Sequence, residues 1–86
     1  MELWIKVKSL SRGMFPGEYA VVTSTSDGRE LSLFAPKQYI NAERSLMRVG
    51  LLDQSGDASL VYLPVSPLDY PSRTVTVPTG ALVRDK

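Results

Sequence analysis

Histidine and cysteine are both absent from this chain of 86 residues. Without cysteine there is neither a disulfide framework nor a thiolate metal site, and the chain suits a reducing compartment. Without histidine the usual metal ligand, the usual general base at neutral pH and the usual partner of a nucleophilic serine are all missing. An excess of one charge is lacking too: ten basic residues against nine acidic ones leave a formal net charge of +1, so no whole-molecule field draws the protein to nucleic acid or to an anionic membrane. Long apolar runs are also missing. The opening Met-Glu-Leu-Trp-Ile-Lys-Val-Lys is broken by Glu2, Lys6 and Lys8, too short and too charged for a signal peptide or a membrane span, so the expected compartment is the cytoplasm, with no membrane partner.

Motifs that carry chemistry are equally scarce. Arg12-Gly13-Met14-Phe15-Pro16-Gly17 lacks the spacing, and the Lys-Ser or Lys-Thr, of a phosphate loop. Glu18, Asp27, Glu30, Asp53, Asp57 and Asp69 are scattered, and Asp27 and Asp57 have the simpler role of turn formers. A single small domain of this composition offers neither a large cleft nor a convenient acid-base group, so the expectation is a protein that is not an enzyme and needs no cofactor and no metal.

What the chain does have is β pattern. Leu3, Ile5 and Val7 alternate with Trp4, Lys6 and Lys8, the period-two signature of a strand with one buried face. Trp4 falls on the lysine side, where a large aromatic is more often covered than exposed. Glu18 to Ser26 and Arg29 to Ala35 flank Asp27-Gly28, a two-residue loop whose expected register sets Val22 opposite Leu33 and Ala20 opposite Ala35. Leu46 to Asp53 and Ala58 to Val65 form a second hairpin around Gln54-Ser55-Gly56-Asp57, with Leu51 expected opposite Leu60 and Val49 opposite Tyr62. Both faces of that pair are largely apolar, which places it centrally or lends one face to a partner. Pro64 to Ser72, with prolines at 64, 67 and 71, reads as a surface loop, Arg73 to Val77 as a strand, Ala81 to Val83 as a last short strand, and Arg84 to Lys86 as a frayed end.

A weak internal echo runs through this order. Leu33 to Ile40 and Val75 to Leu82 each place a proline after a strand and an apolar residue four positions beyond it, suggesting two similar half-units. The expected fold is all-β: a single domain, 1-86, forming a small β-barrel or roll of five to six strands, built from two hairpins with short 3₁₀ turns. In general arrangement it resembles SH3-like modules, where a short turn after a proline precedes the last strand, as Pro78 to Leu82 would here.

Two surfaces are candidates for function. Tyr19, Val21 and Phe34, on the outer base of the first hairpin, would join Met14 and Phe15 from the preceding loop, with Arg12 at the rim, as an apolar aromatic contact for a protein or peptide partner. The competing reading makes that face a second core layer, with Met14 and Phe15 folded over one end of the core. The alternative surface is basic: Trp4, Lys6, Lys8 and Arg12 as a nucleic-acid-binding strand, or simply a solvated edge. The expected association state is a monomer or weak homodimer, the latter through the doubly apolar second hairpin.

Overall fold

Aliphatic and β-branched residues in alternation favour a pleated, half-buried backbone, and the computed structural model, which describes residues 2–85, is all-β throughout. Nine strands form among the described residues, rather than five or six: β1 (Glu2–Lys6), β2 (Ser9–Arg12), β3 (Glu18–Ser24), β4 (Glu30–Pro36), β5 (Ile40–Asn41), β6 (Leu46–Ser55), β7 (Ala58–Tyr62), β8 (Thr74–Pro78) and β9 (Leu82–Asp85). Among the described residues the only helical pieces are two 3₁₀ turns, Lys37–Tyr39 and Thr79–Ala81, each directly after a proline. No helix among the described residues is long and apolar enough to cross a membrane.

The strands make two sheets. One has the order β8-β7-β6-β1-β9 with β5 added on β6, and the other has the order β2-β3-β4. All pairings are antiparallel. The sheets pack face to face and are linked by isolated backbone hydrogen bonds, Ser26 N–H to Thr76 C=O and Leu68 N–H to Ser32 C=O, so the expected closed barrel does not form. Leu3, Ile5, Met47, Val61, Val75 and Val77 from the first sheet, with Leu63 just beyond β7, share one core with Val21, Leu31, Leu33 and Ala35 from the second. Burying a side chain of this size contributes about 1.5–3 kcal/mol, so this layer is what holds the two sheets together.

The first hairpin departs from expectation by one residue. Val21 lies opposite Leu33 and Tyr19 opposite Ala35, because the loop is the three-residue Ser26-Asp27-Gly28 closed by Thr25 N–H to Arg29 C=O at 2.8 Å. Gly28 N–H also reaches Thr25 C=O, and Gly28 sits at φ 86°, the arrangement of a type I turn followed by a left-handed glycine. A one-residue shift turns the side chains of β3 over relative to those of β4. Val21 and Thr23 are therefore buried, and Ala20, Val22 and Phe34 occupy the opposite face.

Asp27 stabilises this turn by accepting hydrogen bonds from the Thr25 hydroxyl and the Arg29 N–H. The Thr25 bond, followed by that of Arg29, holds its carboxyl below the ordinary aspartate value. A carboxyl depressed on folding adds stability above its unfolded pKa and loses it as pH falls through the folded one. Asp27→Asn should therefore flatten the part of the stability profile that declines below about pH 4, a small effect readable in thermal melts at pH 3 and pH 6.

The second hairpin also shifts. Ser55 pairs with Ala58 across a two-residue Gly56-Asp57 loop, and a bulge between Leu51 and Asp53 resets the register, so Leu51 faces Val61 and Gly50 faces Tyr62. Strand β6 is central in its sheet, as its two apolar faces imply, yet Leu51 and Leu52 in its second half, and Tyr62 opposite Gly50 on β7, stay exposed. Arg84 and Asp85, expected to fray, instead pair with Leu3 and Glu2 in β9; Lys86 lies outside the described residues.

The echo in the sequence becomes a repeat of architecture. At the 42-residue spacing that separates Pro36 from Pro78, each half runs strand, proline, 3₁₀ turn, strand. Ile40 then pairs with Met47 and Leu82 with Ile5, again 42 positions apart, so each half ends on the other half's first strand. Ser26 and Leu68, at the same spacing, donate the reciprocal hydrogen bonds that join the sheets.

Candidate functional site

The two halves differ most at one place. In the second half β6 and β7 are joined by Gly56-Asp57 alone, whereas in the first half β2 and β3 are joined by a five-residue loop, 13–17. In each half the residue after the proline donates its N–H to this connection: Lys37 to Gly17 C=O and Thr79 to Asp57 C=O, both at 2.8 Å. The fold therefore closes this corner with two residues when that is all it requires.

The longer loop is held in one shape. Gly13 N–H donates to Glu18 C=O at 3.1 Å, and the Glu18 carboxylate turns back to accept the N–H groups of Met14 and Phe15 at 3.2 and 3.3 Å. A Cβ at position 13 would lie 2.5 Å from Glu18 Cγ and 2.9 Å from its carbonyl oxygen, so only glycine fits. Gly17, at φ 84°, supplies the left-handed turn back into β3. With its backbone consumed in this way, the loop directs Met14 and Phe15 outward, 73% and 66% exposed. They do not fold over the core.

Of the residues expected at this site, Arg12, Met14, Phe15 and Tyr19 line one open pocket of about 710 Å³, joined by Glu18 and Lys37. Tyr19 packs partly against the core behind it. Phe34 does not belong, because the register places it on the other face of β4, opposite Ala20, and Val21 is buried in the core. Gly13, Glu18 and Lys37 were not expected at this site. The available signal was a carboxylate within five residues of a loop rich in glycine, where it can satisfy free amides.

The basic candidate is dispersed. Trp4 is buried, its Nε1–H without an acceptor, and so offers no face for a base to stack on. Lys8 pairs with Glu30, while Lys6 is exposed at the end of β1. Elsewhere Tyr39, Arg48, Tyr62 and Arg73 line a shallower pocket of about 410 Å³. There the Arg73 guanidinium lies 4.4 Å from the Tyr62 ring centre and donates to the Leu63 and Pro64 carbonyls, which commits it to holding the proline-rich loop.

No protein-family model, curated protein or solved structure matches this chain.

Proposed function

We propose that the chain is a small non-catalytic binding module, SH3-like in class, that holds a protein or peptide partner at the loop carrying Met14 and Phe15. The observation that supports this reading is the pinned loop itself. Two large apolar side chains are exposed on a backbone fixed by Glu18, at a corner that the other half of the fold closes with two residues. Exposed apolar surface held rigid costs solubility and gives nothing to the core, whereas Met, aromatic and Arg side chains are what interface centres are made of. Arg12 and Lys37 form the polar rim, and Tyr19 forms the floor.

The test is affinity capture from the source lysate with the tagged protein and with a Met14→Ser, Phe15→Ser double variant, each with and without nuclease. The expected result is a protein retained by the wild type after nuclease treatment and lost by the variant, while the melting temperature of the variant is unchanged. Equal retention by both proteins refutes the site. Material that disappears with nuclease refutes the choice of partner.

A further inference from the structure

Sheet edges with unpaired backbone groups invite another strand, and proteins usually cover them. Here the outer edges of β4 and β8 are each met by a loop, whereas β9 and β2 are paired on one side only. The outer edge of β4 is closed at Ser32, whose carbonyl accepts Leu68 N–H at 2.7 Å and whose N–H donates to the Asp69 carboxylate at 3.2 Å. On β8, the Thr76 carbonyl accepts Ser26 N–H at 2.9 Å. Strand β2 has a neighbour on one side only, β3, and leads straight into the Met14–Phe15 loop.

The direction of its free groups follows from the ladder. Gly13 N–H points at Glu18 on β3, and in antiparallel pairing the backbone groups alternate, so those of Ser11 also face β3 while those of Leu10 and Arg12 face outward. Charge is unbalanced in the pocket beside the loop, which Arg12 and Lys37 both line. Among the described residues Arg12 and Lys37 take part in no ion pair, and the nearby Glu18 carboxylate is already occupied by two amides.

Resting on the binding-module reading, we infer that the partner docks as an extended segment that adds a strand to the open edge of β2. Backbone hydrogen bonds to Leu10 and Arg12 set its register. An apolar side chain of the segment lies against Met14 and Phe15, and a carboxylate meets Arg12 and Lys37. Strand addition divides the work in this way, with the main chain supplying affinity and alternate side chains supplying specificity.

The experiment is selection of a random eight-residue peptide library on the intact protein, followed by synthesis of the strongest binder in two alternately N-methylated forms. The expected sequences alternate apolar residues with others and carry Asp or Glu. One methylated form should lose affinity by about fiftyfold or more and the other should keep it, since only every second amide faces β2. Arg12→Glu should weaken the unmodified peptide about tenfold, and more at low salt than at high salt. If both methylated forms bind as well as the parent, strand addition is wrong, while loss of binding in the Met14→Ser, Phe15→Ser variant would still uphold the loop as the site. A binder without acidic residues, or no enrichment at all, overturns the inference.

Discussion

Leu33→Ala is expected to lower the free energy of unfolding by about 3 kcal/mol. Leu33 is almost fully buried, lies opposite Val21 across the first hairpin, and belongs to the core cluster that both sheets share. Truncation removes apolar contact on all sides and leaves a cavity that a sandwich with both sheets fixed by pairing cannot close. At roughly 0.1 kcal/mol per residue the whole domain is stable by about 9 kcal/mol, so a third of the margin goes with one side chain. Urea unfolding reads this as a lower midpoint with unchanged slope. The same experiment on two neighbours tests the register. Val21→Ala should destabilise clearly more than Val22→Ala, because Val21 is buried and Val22 lies on the outer face. The reverse order would restore the two-residue Asp27-Gly28 loop.

Gly13→Ala should be nearly as costly and should also abolish binding. The added methyl meets backbone, the Glu18 carbonyl oxygen at 2.9 Å, as well as the Glu18 side chain, and backbone cannot step aside without opening the β2–β3 junction. Relief of the clash breaks the Gly13–Glu18 hydrogen bond and withdraws the carboxylate from the Met14 and Phe15 amides. A cost of about 2 kcal/mol is in the range for overpacking of this severity. Gly80 provides the control, since a Cβ there meets nothing within 4 Å. Gly80→Ala should leave both melting temperature and partner binding unchanged. If Gly13→Ala behaves like Gly80→Ala, the loop is not held in the shape described here.

The strands were legible because their cause is local. Period-two alternation and punctuation by proline and glycine located the long strands, the covered Trp4 and the short 3₁₀ turns that follow a proline. Register was not legible, because Tyr19-Val21-Thr23 and Ala20-Val22-Ser24 are about equally apolar and Asp27-Gly28 suits either loop length. The choice rests on the Thr25 hydroxyl and the left-handed Gly28. The bulge near Leu52 lies in the part of β6 that pairs with β7, beyond its pairing with β1, and no window of sequence contains such long-range pairing. For the site, Met14, Phe15, Arg12 and Tyr19 could be named from residue type and loop position, while Phe34 was lost with the register. Glu18 and Lys37 became visible only when the chain folded back on itself.

The exchange of last strands between the halves bears on how the molecule comes together in time. Neither half finishes its own sheet, since β9 rests on β1 and β5 on β6. The pair Leu3–Arg84 joins positions roughly 80 apart, a loop closure that no local contact helps to compensate. Folding should therefore run on the millisecond-to-second scale of non-local β topologies, and the halves should unfold in one concerted transition. In that setting the loop 13–17, whose Gly13, Met14 and Phe15 amides are all held by Glu18 of the same hairpin, can take shape before the rest. Met14 and Phe15 would then be displayed while the sheet that supports them is still assembling.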